Sequence, residues 1–211
     1  VREVKMAKIV VAGVGPGGEE YILPIVRRKV AEADLLAGGE RALAPFRPLG
    51  KELLPVTADL AALVKELREK SSECKIAVLV SGDTGFYSLL SYLRRHFSPQ
   101  ELEVYPGISS VQVAFARLGE LWHDAVLLSA HGRNGQELLP RLLTPGKKAI
   151  LTDGIWTPSR LARLVLTAGG GDAPVSLCYR LTCPDEEITT ACLSALSEET
   201  GGDCVMVIHG D

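Results

Sequence analysis

The stretch that best indicates the fold is "IAVLVSGDTGFYSLL", residues 76–90. Its continuous apolar run, Ile76 to Val80, is typical of a strand buried on both faces of a parallel sheet. The run ends in a short loop that places one carboxylate, Asp83, between two glycines. A helix-like pattern follows, and we expect a helix over 84–97. A strand, a glycine loop and a helix in this order predict an α/β unit.

The same alternation extends along the chain. Strands are predicted over 8–15, 34–39, 51–56, 75–82, 102–107, 124–132, 147–154, 173–180 and 203–210. Helices are predicted over 19–33, 59–70, 84–97, 109–118, 135–143 and 159–170. This pattern predicts an α/β fold of two α/β domains with mixed, largely parallel sheets. We place the domains at 1–118 and 119–211, with a ligand cleft between them.

Composition narrows the class of protein. The 211 residues are 46% hydrophobic and 23% charged, as expected for a packed globular protein. A net charge of −3 argues against nucleic acid and anionic membranes as partners. No apolar run reaches the roughly 20 residues of a membrane span, and the charged start does not resemble a secretory signal. Five cysteines without a CxxC pair favour buried, reduced thiols in the cytoplasm, and no metal site is predicted.

Glycine-containing loops follow five of the predicted strands. They are "GVGPGG" (13–18), "SGDTGF" (81–86), "PGISS" (106–110), "AHGR" (130–133) and "TDGIWTPS" (152–159). Ligands of parallel sheets bind at the carboxyl ends of the strands. Small residues there let a ligand contact main-chain amides and carbonyls directly.

The first loop also raises the hypothesis of a nicotinamide- or flavin-dependent oxidoreductase. Residues 13–18 fit G-x-G-x-x-G, and Asp34 follows about 20 residues later, where a ribose-binding acid is expected. However, Pro16 removes an amide from the turn, and Glu19 and Glu20 place negative charge where a diphosphate would sit. Asp34 also precedes its strand instead of following it. These details disfavour a dinucleotide.

A cofactor without phosphate fits these loops better, and S-adenosylmethionine is such a molecule. Asp83 would then be a carboxylate near the cationic sulfonium. The alternative is that Asp83 only caps a helix that starts near Thr84. The residues alone leave both interpretations open.

Three motifs at this spacing resemble the tetrapyrrole methylase family: "GVGPGG", "SGDTGFYSL" and "YPGISSVQVAFARLG". The resemblance covers essentially the whole chain. It implies two α/β domains with S-adenosylmethionine as cofactor in the cleft between them. Thr84 stands where the family usually has proline, and "YRLT" stands where it usually has "ERLG".

Further motifs resemble the branch of this family that methylates carbon 5 of a corrin precursor in cobalamin synthesis. They are "SAHGR" (129–133), "LTDGIWTPSRLARLV" (151–165) and "YRLTCPDEEI" (179–188). The resemblance implies a stand-alone carbon-5 enzyme that acts on cobalt-precorrin-7, with the cobalt belonging to the substrate. It also implies a homodimer and a separate protein for carbon 15.

The resemblance assigns roles to particular residues. The implied cofactor contacts are Gly15, Pro16, Gly17, Gly82, Asp83, Phe86, Ser109, Ser110 and Thr152. Ser109 is equally well explained as a helix cap, and Thr152 as part of a turn.

The substrate carries many carboxylates, so cations are expected to contact it. Arg133 is the first choice, with Arg117 and Arg160 as weaker ones, although any of them can be a solvated surface residue. His131 is the candidate base that removes a proton after methyl transfer, although a histidine in such a loop often only donates a structural hydrogen bond.

Three alternatives stay open from the sequence. A family member can methylate another carbon or another substrate. The chain can be an oxidoreductase that uses NAD or FAD. It can also be a binding module that has lost catalysis.

Overall fold

The computed structural model describes residues 9–197 and 202–210, and it divides into two compact units. The first unit ends at Ser109 and the second begins at Ser110. The predicted boundary after residue 118 lies at the far end of a helix that begins at Ser110. This helix, expected in the N-terminal domain, contacts the last strand of the chain and belongs to the second unit.

Within the described residues there are ten strands and seven α-helices. The strands are β1 (Ile9–Gly13), β2 (Leu35–Gly38), β3 (Glu52–Pro55), β4 (Ile76–Val80), β5 (Leu102–Tyr105), β6 (Val126–Ser129), β7 (Lys148–Leu151), β8 (Pro174–Tyr179), β9 (Glu187–Cys192) and β10 (Cys204–Ile208). The α-helices are α1 (Pro24–Glu32), α2 (Glu40–Leu43), α3 (Leu60–Lys70), α4 (Leu90–Leu93), α5 (Ser110–Leu118), α6 (Leu139–Leu142) and α7 (Pro158–Thr167). None of these helices is long and apolar enough to cross a membrane.

The first unit contains a five-stranded sheet in the order β3-β2-β4-β1-β5, and every strand pair is parallel. All five residues of the central strand β4 are buried. Ile76, Val78 and Val80 join one apolar cluster, whereas Ala77 and Leu79 join another. Because successive side chains point to opposite faces, both faces of the sheet are covered. This double burial explains the unbroken apolar run in the sequence.

The second unit contains a five-stranded sheet in the order β6-β7-β10-β8-β9. Only β6 and β7 pair in parallel, and the other three pairs are antiparallel. The α/β class and the two mixed or parallel sheets confirm the predicted fold class, although the second sheet is more antiparallel than expected. Strand β9 was not predicted, because it is an edge strand with no fully buried residue.

The helix predicted over 84–97 is wrong for most of its length, since the α-helix comprises only Leu90–Leu93. Local side-chain bonds hold the preceding residues in turns. Asp83 accepts a hydrogen bond from the amide of Gly85, and the Ser88 hydroxyl donates to the carbonyl of Thr84. Such bonds compete with the helical pattern of main-chain bonds. Tyr87 also has a φ of 49°, which a helix does not allow.

The helix predicted over 19–33 begins later than expected. Residues Glu19–Tyr21 form a 3₁₀ turn, and α1 starts at Pro24. Proline is favoured in the first helical turn, where its missing amide is not needed. Pro24 therefore marks the start of the helix.

All five cysteines lie within the described residues and are free thiols. Only Cys178 and Cys204 are buried. Burial raises the pKa of Cys178 to about 12 and that of Cys204 to about 11, so both stay protonated and unreactive near neutral pH. The predicted role as small buried residues holds for these two alone.

Candidate active site

The loops after β1, β4 and β5 meet at three glycines in the first unit. A Cβ atom built on Gly13 would lie 2.6 Å from the amide N of Gly107 and 2.6 Å from the carbonyl O of Gly82. A Cβ on Gly107 would overlap the same carbonyl and lie 2.7 Å from the carbonyl carbon of Gly13. Real Cβ contacts do not reach such distances. The three main chains therefore pack together only because Gly13 and Gly107 have no side chain, and Gly82 contributes the carbonyl oxygen that both approach.

Hydrogen bonds join the first two of these loops. The amide of Gly15 donates to the carbonyl of Gly82 at 3.2 Å, and the amide of Gly82 donates to the carbonyl of Gly15 at 2.7 Å. Gly82 has a φ of 68°, a left-handed conformation that glycine adopts without strain. The "GVGPGG" and "SGDTGF" loops are therefore one bonded substructure.

Asp83 fastens the third loop to this pair. Its Oδ2 accepts a hydrogen bond from the Gly107 amide at 3.0 Å, while its Oδ1 accepts from the Gly85 amide at 2.8 Å. No helix begins at Thr84, so the carboxylate does not cap one there. Asp83 therefore links the end of β4 to the loop after β5 through a hydrogen bond.

The other predicted residues of the first unit lie around these loops. Pro16 is half-buried and Gly17 is exposed. Phe86 is half-buried, and its ring contacts the Tyr87 ring edge to face with 4.8 Å between centroids. Ser109 is 8% exposed, and its Cα lies 3.9 Å from a Cβ built on Gly82. The first unit therefore brings Gly15, Gly82, Asp83 and Ser109 into one region.

Two of the predicted cofactor contacts, Ser110 and Thr152, lie in the second unit. Ser110 is half-buried and opens α5. Thr152 is buried, and its hydroxyl group donates to the carbonyl of Gly202 and accepts from the Cys204 amide, both at 3.0 Å. Because these bonds commit the hydroxyl, any ligand contact by Thr152 would come from its main chain.

His131 and Arg133 lie on the loop after β6, and both are exposed. The His131 Nδ1 atom is 3.9 Å from a carboxylate oxygen of Asp203. The main-chain amide of Arg133 donates to the carbonyl of Ala130, which closes the loop into a turn. The structure therefore presents both side chains at the carboxyl end of a strand, as predicted for a ligand-contacting loop.

Asp153, which follows β7 and was not among the predicted site residues, organises the loops of the second unit. It is 9% exposed, and its Oδ2 accepts from the Gly132 amide at 2.8 Å. Its Oδ1 accepts from the amides of Ile155 and Trp156, at 2.8 and 2.6 Å. Burial alone would raise the pKa of Asp153, but these three donors outweigh it and hold the pKa below its ordinary value of 3.8.

The two weaker cation candidates differ in their surroundings. Arg117 pairs with Glu186, with its Nε 2.6 Å from Oε1, and this pairing lowers the pKa of Glu186. Its guanidinium therefore serves a structural contact within the second unit. Arg160 stacks on the ring of Trp156, 4.0 Å from the ring centroid. No carboxylate among the described residues pairs with Arg160.

The site offers main-chain polar groups rather than metal ligands. Within the described ranges, no group of three or more His, Cys, Asp or Glu side chains could hold a metal ion. The strand ends of the first unit expose glycine backbone next to one carboxylate and one serine. Such a surface suits an organic ligand that carries positive charge and hydrogen-bonding groups.

The parallel sheet with glycine loops at its carboxyl edge defines a nucleotide- or cofactor-binding α/β protein. The chain belongs to the tetrapyrrole (corrin/porphyrin) methylases, because the model of that family matches residues 8–197. The resemblance seen in the sequence motifs is thereby confirmed.

Individual relatives agree with this membership. The chain is 32% identical over 200 residues to the cobalt-precorrin-7 C(5)-methyltransferase of Salmonella typhimurium, an alignment that covers 95% of this chain and 98% of the relative.

Solved structures support the fold. The precorrin-6Y methylase of Archaeoglobus fulgidus aligns with a TM-score of 0.74 at 21% identity, over 97% of this chain and 98% of its own. The uroporphyrin-III C-methyl transferase of Thermus thermophilus, solved in complex with S-adenosyl homocysteine, aligns with a TM-score of 0.75 at 20% identity, over 96% of this chain and 97% of its own.

The close approach of the loops predicts a large cost for a side chain at Gly107. We expect Gly107→Ala to lower the free energy of unfolding of the first unit by about 1–3 kcal/mol, because the main chains must move apart. The measurement is the urea midpoint followed by circular dichroism. Gly39→Ala is the matched control, since a Cβ there meets nothing within 4 Å and the φ of Gly39 is −67°. Equal midpoints for the two variants would contradict the packing argument.

The lowered pKa of Asp153 predicts a pH-dependent contribution to stability. This contribution is complete above the ordinary value of 3.8 and is lost as the pH falls towards the lower pKa of the folded state. We expect Asp153→Asn to be less stable than the parent protein at pH 7, and the difference to shrink on acidification below about pH 4. Thermal melts across pH measure this. Asp124→Asn, at an exposed aspartate of the same unit, should show no such trend. A difference that stays constant with pH would refute the role of the carboxylate.

Proposed function

We propose that the protein is an S-adenosylmethionine-dependent methyltransferase that methylates carbon 5 of a corrin precursor, cobalt-precorrin-7, in cobalamin biosynthesis. The observation that carries this proposal is the near full-length match, at 32% identity, to a cobalt-precorrin-7 C(5)-methyltransferase. Family membership and the glycine-lined strand ends agree with it. Another ring position is the second candidate, and no particular residue of this chain favours it.

The first unit fits the cofactor by its bare main chain. A Cβ built on Gly82 would have only the Ser109 Cα within 4 Å, so this stretch of backbone is open to a ligand. Gly15, Pro16 and Gly17 would form the neighbouring contact, and Pro16 stiffens that loop. Phe86 and Ser109 complete the proposed cofactor contacts of the first unit. Ser110 and the carbonyl of Thr152, in the second unit, stay predicted cofactor contacts.

Asp83 has two tasks in this proposal. Each of its oxygens accepts one hydrogen bond from a main-chain amide, whereas a carboxylate has about four acceptor sites. It therefore keeps acceptor capacity and negative charge after joining the loops. That charge would favour a cation at the glycine surface.

When bound, S-adenosylmethionine supplies an electrophilic methyl group, which passes from sulfur to carbon. The protein then has to align the two reactants and exclude water, which is worth on the order of 7–11 kcal/mol in well-oriented systems. We assign His131 as the base that takes the proton released by the methylated macrocycle, and Arg133 as a contact to a substrate carboxylate. Their exposure at the end of β6 leaves both able to meet a large substrate.

The oxidoreductase alternative has a specific difficulty in the structure. Asp34, the candidate ribose ligand, lies before β2, and its Oδ2 accepts a hydrogen bond from the Lys75 amide at 2.9 Å. It is therefore at the amino edge of the parallel sheet, opposite the "GVGPGG" loop. A dinucleotide bound at that loop would find no acid from Asp34.

Three further expectations remain predictions. Methylation of carbon 15 is assigned to a separate protein, because the near full-length relative is named for carbon 5 alone. The protein is expected to form a homodimer. It is expected to act in the cytoplasm.

Calorimetry and turnover test the proposed function directly. We expect S-adenosylhomocysteine to bind, and NAD and FAD to give no binding heat. Incubation with S-adenosylmethionine and purified cobalt-precorrin-7 should give a singly methylated product, with the new methyl group located on carbon 5 by NMR. Cofactor binding without turnover would indicate a binding module or another substrate. Methylation at another carbon would reassign the position, and heat with NAD alone would overturn the methyltransferase assignment.

Variants of Asp83 separate its two tasks. We expect Asp83→Ala to raise the Kd for S-adenosylhomocysteine at least tenfold, about 1.4 kcal/mol, and also to lower the melting temperature because two amides lose their acceptor. Asp59→Ala is the matched control, since Asp59 also accepts an amide bond, from Ala62 at 2.9 Å, but caps α3. It should lose stability and bind the cofactor normally. If Asp83→Ala behaved in the same way, its carboxylate would be purely structural.

A further inference from the structure

A groove in the second unit lies beside the loop that follows β7. Its walls include Gln136 from the 3₁₀ helix Gly135–Leu138, together with Trp156, Arg160, Arg163 and Leu164. Both arginines belong to α7 and lie three residues apart, which places them on one helix face. Among the described residues that line the groove, none is acidic. The groove therefore combines an apolar indole and leucine with two guanidinium groups.

The floor of the groove is rigid. Trp156 is 7% exposed, and a Cβ built on Gly135 would overlap its ring, so the loop after β6 lies flat against the indole. The main-chain amide of Trp156 donates a hydrogen bond to Oδ1 of Asp153 at 2.6 Å. This bond fixes the main chain that carries the indole, and Gly135 lies against the ring itself.

This floor fixes the position of Arg160. The guanidinium carbon lies 4.0 Å from the centroid of the Trp156 ring, and its Nη1 donates to the Ile155 carbonyl at 3.0 Å. The stack occupies one face of the guanidinium, and the hydrogen bond uses one of its five N–H donors, so four donors are not used by this bond. A guanidinium already held in place loses less side-chain entropy when it binds an anion.

The groove also lies at the edge of the sheet where a ligand is expected. Strands β6 and β7 are parallel, so their carboxyl ends meet at one edge. The loop after β6 carries His131 and Arg133 and leads to Gln136, and the loop after β7 leads to Trp156 and Arg160. The groove and the two predicted substrate residues therefore belong to adjoining loops of the same unit.

We propose that Arg160, stacked on Trp156 and flanked by Arg163, binds a carboxylate arm of the tetrapyrrole substrate in this groove. This inference rests on the proposed function, because it takes the substrate to be a polycarboxylate macrocycle. A planar guanidinium binds a carboxylate through two parallel N–H···O bonds. The half-buried Leu164 would contact the aliphatic part of the arm. Arg160 is thus a substrate-binding residue that selects for carboxylated macrocycles.

The experiment compares Arg160→Gln, Arg160→Lys and the control Arg141→Gln. Arg141 is an exposed arginine of α6 in the same unit and does not line the groove, so its variant changes the net charge equally. Three quantities are measured for each: KM and kcat with cobalt-precorrin-7, the Kd for S-adenosylhomocysteine, and the Kd for uroporphyrin III by calorimetry. Uroporphyrin III is a carboxylated tetrapyrrole whose binding requires no turnover.

We expect Arg160→Gln to raise KM and the uroporphyrin Kd about tenfold, with the S-adenosylhomocysteine Kd unchanged. Arg160→Lys should recover part of the loss, because lysine keeps the charge but loses the stack and the bidentate geometry. Arg141→Gln should match the parent protein.

Two results would overturn the inference: equal effects of Arg160→Gln and Arg141→Gln, or no binding of either tetrapyrrole by the parent protein. A third result would separate the two proposals. If Arg160→Gln weakened uroporphyrin III binding but the parent protein did not turn over cobalt-precorrin-7, the groove would be supported and the proposed substrate would be refuted.

Discussion

The structure of the first unit depends on one steric constraint. The main chains after β1, β4 and β5 approach one another so closely that there is no room for a Cβ atom between them. Gly13 and Gly107 allow this approach around the carbonyl oxygen of Gly82, and Asp83 holds it with a hydrogen bond from the Gly107 amide. The three strands are neighbours in a parallel sheet, so their carboxyl ends already converge. The absence of side chains at Gly13 and Gly107 lets the loops close on one another, and a Cβ built on Gly82 would meet only the Cα of Ser109 within 4 Å. The proposed cofactor surface is in this sense a consequence of the packing of the loops.

In the second unit, whose sheet is mixed, a carboxylate also joins two loops at the strand ends. Asp153 follows β7 and accepts an amide from the loop after the neighbouring parallel strand β6, as Asp83 follows β4 and accepts one from the loop after β5. Both are carboxylates whose charge is compensated by main-chain donors rather than by cations. Amide donors therefore hold these loops together without a salt bridge to either carboxylate among the described residues.

The sequence was sufficient for features that depend on periodicity and composition. The buried strands of the first sheet are continuous apolar runs, and the glycine loops after them are visible directly. It was insufficient where the outcome depends on distant partners. Asp83 and Gly107 are 24 residues apart, and Asp153 and Gly132 are 21 apart, so no local pattern shows these bonds.

Two other errors have local causes. The turns before α4 replaced a predicted helix because Asp83 and Ser88 bind nearby main chain. The edge strand β9 lacks the buried residues that identify a strand in sequence.

The net charge of −3 and a substrate with many carboxylates are in apparent conflict, and the distribution of charge resolves it. Repulsion between exposed charges fades beyond roughly 10 Å at ordinary ionic strength, so a ligand responds mainly to the nearest groups. In the second unit, which contains the proposed substrate groove, Asp153 accepts hydrogen bonds from three main-chain amides. Arg160 faces an open groove with no acidic residue among its described lining. An acidic protein can therefore present a locally cationic surface, provided that its carboxylates are occupied by its own backbone.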